Sequence, residues 1–240
     1  MKIAFIPDRI CCIIQSMCVY PIFLSLADSR LLVAGAGKVG KRKIAGLCDA
    51  GAKEIFVFDP YIPDDDVADL QALPGVRVFR RATREGDIAG CALVFVATDD
   101  VAENARLAAF CKKRGILCNV ADAPERGSFH VPACARVEEL TVAFSTGGHS
   151  PALASRLRKD AAIWLKRDYG SLLALLVRLR SPIRDMDDDV ARHGEIFRSL
   201  VTSDLGRVLA CKDRDKAADI LTLVLPPCLH GRIEEFLHGL

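Results

Sequence analysis

The 240-residue chain lacks any charge imbalance: 33 Lys and Arg face 31 Asp and Glu, a formal net charge of +2 at neutral pH. That excludes the broad basic surface of a dedicated nucleic-acid binder, so any cationic site must be local. It also lacks a CxxC pair, although it holds 10 cysteines scattered from Cys11 and Cys12 to Cys228. Most sit in apolar runs, where a thiol acts as a small hydrophobe. Free cysteines in a reducing cytoplasm, with no structural zinc and no permanent metal centre, are therefore expected. Internal repeats and low-complexity tracts are missing too, which excludes a solenoid and argues for ordinary globular domains. With 51% hydrophobic and 27% charged residues, a sizeable core is available.

An uncharged run over residues 10–27, behind Arg9, reaches the lower length limit of a membrane span or signal core. It carries Gln15, Ser16, Ser25 and Pro21, which suit a spanning helix poorly. Pro21 is expected to split it into a tail and a strand, so no membrane partner is expected. Residues 1–17 read as an extension, with Met17 as an alternative start.

From Leu31 the pattern alternates: an apolar run to Ala34, a glycine turn, and a helix over Lys38 to Ala50. A strand over 55–59, a helix over Asp64 to Leu73 and a short strand over 76–79 follow. A buried strand then runs over 91–100, a helix over Val101 to Arg114 stops before Gly115, and a strand covers 116–120. This order predicts an α/β fold with a Rossmann-type parallel sheet over 18–122, covered on both faces. After Pro124 two helix-free strands, over 129–136 and 140–145, precede a helix from Pro151 to about Lys166, which makes 123–168 a small α+β module. Residues 169–240 read as a helical C-terminal domain, punctuated at Pro182, Ser203-Asp204 and Pro226-Pro227.

Gly35, Gly37 and Gly40 form GxGxxG between strand and helix. The first permits the tight turn, the second lets a pyrophosphate approach, and the third allows close helix packing. Free N–H groups and the positive dipole end of the helix suit phosphate. Asp59 ends the second strand 19 residues after Gly40, where a carboxylate accepts the ribose hydroxyls of NAD and repels the 2′-phosphate of NADP. The later strands end in Thr98, Asp99 and Asp100, and in Asn119 with Asp122 beyond. In doubly wound sheets ligands sit outside such carboxyl ends. Asp122 reads either as a base, which needs partial burial to raise its pKa, or as a turn residue before Pro124. Asp99 and Asp100 read as a helix cap pair.

The loop Ser145-Thr146-Gly147-Gly148-His149-Ser150 leads into Pro151. Ser150 and Pro151 suit a helix start, while the glycines, hydroxyls and His149 at a helix N-terminus also suit an anion. Arg156, Arg158 and Lys159 along that helix would fit a polycarboxylate ligand. His130 and His149 read as metal ligands or, more simply, as hydrogen-bonded histidines.

Five ordered blocks carry a resemblance: YPIFLSL at 20–26, LLVAGAGKVGKRKIAGL at 31–47, VFVATDD at 94–100, NVADAPERGSFHVPA at 119–133 and VAFSTGGHSPALASRLRKD at 142–160. Together they resemble the dehydrogenase and ferrochelatase module of siroheme synthases over residues 18–168. The resemblance implies NAD-dependent oxidation of precorrin-2 to sirohydrochlorin, ferrous iron as a further substrate, and a homodimer formed through the module after the Rossmann domain. It places the nucleotide site on Gly37, Lys38, Val39, Asp59 and Pro60, the shared catalytic aspartate on Asp122, and a substrate-loop hydroxyl on Thr146. Neighbouring Ser145, Gly147, His149, Ser150, Arg156 and Asn119 are the further expected substrate contacts, and Thr98 borders the cofactor. No methyltransferase domain follows, and residues 169–240 match no block of the resemblance. The rival class is a non-catalytic NAD-sensing module on the same fold.

Overall fold

A computed structural model describes residues 19–187 and 189–240. The expected extension, the alternative start at Met17 and Cys11, Cys12 and Cys18 lie outside the described residues. The chain divides into two compact units after Val131.

In the first unit five parallel strands, β1 (Arg30–Ala34), β2 (Glu54–Phe58), β3 (Val76–Phe79), β4 (Leu93–Val96) and β5 (Leu117–Val120), form one sheet in the order β3-β2-β1-β4-β5. The crossovers carry α1 (Lys38–Asp49), α2 (Asp64–Gln71), α3 (Glu85–Ile88) and α4 (Val101–Arg114). Near-continuous apolar strands are what a sheet buried on both faces requires. Alternate residues serve opposite faces: Leu31, Val33, Ile55 and Val57 pack with Ile44, Leu47 and Leu70. Leu32, Ala34, Phe56 and Phe58 pack with Ile88, Leu107 and Cys111. The strand order reverses between β1 and β4, which opens a crevice at the carboxyl ends of those strands.

Two local expectations change. Residues 22–27 form no strand; the chain enters the sheet only at Arg30, and Tyr20, Ile22 and Phe23 are exposed. Helix α3 was not legible as a helix, being four residues long and held by Asp87, whose carboxylate accepts from the Arg84 N–H and from the Arg81 guanidinium. Among the described residues no helix is long and apolar enough to cross a membrane.

The boundary expected after Asp122 falls inside the first unit. Residues 124–126 make one 3-10 turn. The chain beyond it returns to β5, where Ser128 bonds the Cys118 backbone through its N–H and its hydroxyl. The second unit opens with an antiparallel hairpin, β6 (Ala133–Val137) and β7 (Leu140–Phe144), backed by α5 (Pro151–Asp168) through Ala135, Ala161 and Leu165. The expected break at 168 is also absent, because α5 contacts both α6 (Gly170–Arg184) and α8 (Leu205–Ala210). Helix α7 (Val190–Thr202), α9 (Arg214–Val224), α10 (Pro227–His230) and α11 (Ile233–Leu237) complete the unit. Its largest core is leucine-rich: Leu175, Leu179, Ile183, Leu200, Leu205 and Leu221 are fully buried.

Candidate functional site

β1 delivers the chain to Gly35, which takes φ +93° and donates its N–H to Phe58 O at 2.8 Å. A side chain is excluded there twice, by the left-handed backbone and because a Cβ would strike the Ala97 carbonyl. A Cβ on Gly40 would likewise strike the Gly35 carbonyl, whereas one on Gly37 would meet nothing within 4 Å. The three glycines therefore divide as their spacing predicts. Gly35 makes the turn, Gly40 seats the helix on it, and Gly37 leaves its exposed side open to a ligand. Gly37 caps α1 with no side-chain hydrogen bond and no acidic residue follows in the first turn, so the helix N–H groups stay available beside exposed Lys38 and Val39. The residues present fit a dinucleotide pyrophosphate.

Asp59 stands at the carboxyl end of β2 and is fixed by its own backbone neighbours. The Ala36 N–H donates to Oδ2 and the Tyr61 N–H to Oδ1, both at 2.8 Å. The half-buried carboxylate is thus bonded directly to the glycine turn, with Pro60 exposed beside it. The remaining lone pairs of its oxygens are where two ribose hydroxyls would donate.

The β4 end lies against the same turn, since Ala97 donates to Ala34 O at 2.8 Å and a Gly35 Cβ would also reach the Thr98 N. The Thr98 hydroxyl lies 2.5 Å from Asn104 Oδ1, and Asn104 Nδ2 donates to the Thr98 carbonyl at 2.9 Å. Asn104 is only 1% exposed. It is a positioning residue that the sequence reading missed. Its signal was a polar residue in the helical stripe otherwise made of Leu107, Ala108 and Cys111. Asp100 is the N-cap expected of it, accepting from Ala102 and Glu103; Asp99 is exposed and is not the cap.

Asn119 differs from its expected role. It is 7% exposed, and its Nδ2 donates to Phe129 O at 3.0 Å. The amide is committed to holding the 118–129 loop, because a buried amide left unbonded would be costly. Asp122 follows at the end of β5 and is exposed, with no hydrogen bond or ion pair among the described residues. The partial burial that a base requires is not supplied by its neighbours in the first unit. The first unit thus brings together Gly35, Gly37, Lys38, Val39, Gly40, Asp59, Pro60 and Thr98 around one turn.

In the second unit the loop after β7 is held by its own polar groups. Ser145 Oγ accepts from Gly147, Thr146 Oγ1 from Ser150, and Ser150 Oγ from Leu153 at the start of α5. Gly147 and Gly148 both take positive φ, and His149 is exposed. Arg156 is tied to Asp160 one helical turn on, at 2.8 Å, so only part of its guanidinium is left for a ligand; Arg158 and Lys159 are exposed. Among the described residues no group of three His, Cys, Asp or Glu is arranged to hold a metal ion.

A doubly wound sheet with a GxGxxG turn bonded to an acidic residue on β2 defines a dinucleotide-binding Rossmann protein. In agreement, a family model of NAD(P)-binding domains matches residues 22–133. Siroheme synthase of Pseudomonas fluorescens (strain SBW25) is 36% identical over 170 residues, 71% of this chain and 36% of that protein. Siroheme synthase of Pseudomonas paraeruginosa is 36% identical over 191 residues, 79% of this chain and 41% of that protein. The chain therefore spans less than half the length of these curated relatives. A solved structure, SirC, precorrin-2 dehydrogenase, superposes with TM-score 0.70 at 26% identity, covering 86% of this chain and 98% of that one. Residues 22–133 thus form an NAD(P)-binding domain, and over most of its length the chain is similar to siroheme synthases and to SirC, precorrin-2 dehydrogenase.

Proposed function

We propose that the protein is an NAD-dependent precorrin-2 dehydrogenase, which oxidises a tetrapyrrole polycarboxylate to sirohydrochlorin in the cytoplasm. The observation that carries the reading is the bond from the Ala36 N–H to Asp59. It joins the phosphate-binding turn and the ribose-reading carboxylate into one preformed cradle, in a chain that covers 98% of SirC. The bound dinucleotide supplies a hydride acceptor. The chain's own residues do the rest: the α1 N-terminus holds the pyrophosphate, Asp59 orients the ribose, and the Thr98 turn, clamped by Asn104, sets the crevice wall. Oxidation removes a hydride and a proton from the macrocycle, and Asp122 takes the proton. Covering by the flat substrate supplies the desolvation that this exposed carboxylate needs as a base. Ser145, Thr146, Gly147, His149, Ser150 and the free cations of α5 meet the substrate's carboxylates.

The test is anaerobic incubation of the protein with precorrin-2 and NAD. NADH and sirohydrochlorin are expected, with turnover lowered about 100-fold or more in Asp122→Ala while NAD affinity stays unchanged. NAD binding without turnover would replace this reading with the NAD-sensing one. Asp59→Asn removes the charge but keeps an acceptor, and is expected to narrow the preference for NAD over NADP. Supplying sirohydrochlorin and Fe²⁺ to the same protein reads iron insertion, with excess siroheme over the uncatalysed rate and its loss in Asp122→Ala expected if the aspartate serves both steps. Homodimerisation through the second unit is part of the proposal. It is supported by Ile163 and Trp164, exposed at 67% and 45% on α5, and light scattering checks it.

A further inference from the structure

The nucleotide cradle uses the carboxyl ends of the strands. At their amino ends, about 16 Å away along a five-residue strand, the first unit has a cavity of about 440 Å³ between the start of β1, the approach to β4 and the last turn of α4. Arg30, Arg114, Ser29, Cys91, Phe110 and Ile116 line it. None of them belongs to the cradle. Arg30 opens β1, and its guanidinium lies 4.3 Å from the centroid of Phe56. Its Nε is buried and has no acceptor among the described residues. A buried donor left unsatisfied is costly, the more so on a charged group.

Arg114, which also lines the cavity, lies over Phe110 at 5.4 Å. Among the described residues neither arginine forms an ion pair, although Asp28 lines the cavity and Glu54 is the register neighbour of Arg30. Two guanidinium groups that are stacked on rings and unpaired present the planar N–H forks that carboxylate and phosphate groups accept. Lysines 112 and 113 with Arg114 in the last turn of α4 offset the negative dipole end of that helix. Phe110 and Ile116 give the walls an apolar part that an inorganic ion would not use. The two acidic neighbours, Asp28 and Glu54, offset the charge of the two arginines, so the cavity has no large cationic excess, which disfavours a polycarboxylate.

We propose that this cavity binds a small organic acid with one anionic group, its oxygens bonded by Arg30 and Arg114 and its carbon body against Phe110 and Ile116. The site is separate from the dinucleotide cradle and does not depend on the dehydrogenase reading. The test titrates benzoate, and separately inorganic phosphate, into the full chain while amide resonances are followed residue by residue. Benzoate is expected to shift the amides of Gly90, Cys91, Ala92 and Ile116 saturably, with a Kd of about 1 mM or tighter. Arg114→Gln, which removes an exposed wall and leaves Arg30 stacked on Phe56, is expected to weaken that binding at least about tenfold while its spectrum stays folded. Shifts confined to residues 35–41, equal binding in Arg114→Gln, no saturation up to about 20 mM, or saturation by phosphate but not by benzoate would each overturn the proposal.

Discussion

The two glycine-bearing turns of this protein are built on opposite principles. The Gly35 turn is wedged between strands: its N–H is bonded to β2, its Cα faces the Ala97 carbonyl, and the next residue donates to Asp59. The loop over residues 145–150 is braced locally, by hydroxyls bonding N–H groups two to four residues away and by the His149 N–H donating to the Thr146 carbonyl, and a Cβ on Gly148 would meet nothing within 4 Å. A turn fixed by distant backbone is preformed and suits a ligand of constant shape. A loop fixed by its own side chains can exchange those bonds for bonds to a ligand, as reception of a large polar substrate requires.

Substitution is expected to break this contrast in graded steps. Gly40→Ala forces a Cβ into the Gly35 carbonyl and should cost about 3 kcal/mol or more, with loss of NAD binding, read from denaturant midpoints and nucleotide titration. Asn104→Ala leaves the Thr98 carbonyl without its donor and the Thr98 hydroxyl with only its longer bonds to the Asp100 backbone, and should cost about 1–3 kcal/mol. If Asn104 positions the crevice wall, the KM for NAD should rise more than kcat falls, and Asn104→Asp should restore little because it cannot donate to the carbonyl when ionised. Gly148→Ala meets only the strain of its φ of +85° and should cost about 1 kcal/mol. A loss as large as that of Gly40→Ala would show that the loop is not locally held. The smallest effect is electrostatic. The Arg81 guanidinium holds the Asp87 carboxyl below the usual carboxylate range, so the pair's contribution is complete above about pH 4 and fades as pH falls through the lower folded value. Both partners being partly exposed, the loss should stay under about 1 kcal/mol, measured as the stability difference between pH 7 and pH 3 in the parent and in Asp87→Asn.

The same contrast marks what was legible in the sequence. Strand and helix alternation, the roles of the three glycines and the Asp100 cap follow from period and local chemistry, and each appears within a few residues of its expected place. Asn119, Asn104 and α3 did not, because each depends on a partner that only folding supplies: Phe129 O, Thr98 and Arg81. Asn119 and Asp122 looked alike as polar strand-end residues. One is buried and bonded inward, the other exposed, and no periodicity separates them. The boundary at residue 131 was hidden for the same reason, since Ser128 ties back to Cys118 across the turn at Pro124, where the change of pattern read as the start of a new module.

In the proposed function the Asp59 carboxylate carries two duties at once, as reader of the ribose and as strut of the glycine turn, of which the structure shows the second. Cofactor preference in this protein is consequently not a freely adjustable trait. A lineage or an engineer moving it toward NADP with an aliphatic residue at position 59 discards the acceptor of the Ala36 N–H together with the charge, at about 1–3 kcal/mol. The route open to such a change keeps a short acceptor such as Asn or Ser at position 59 and places the new cation elsewhere, on the exposed neighbours Pro60 or Tyr61.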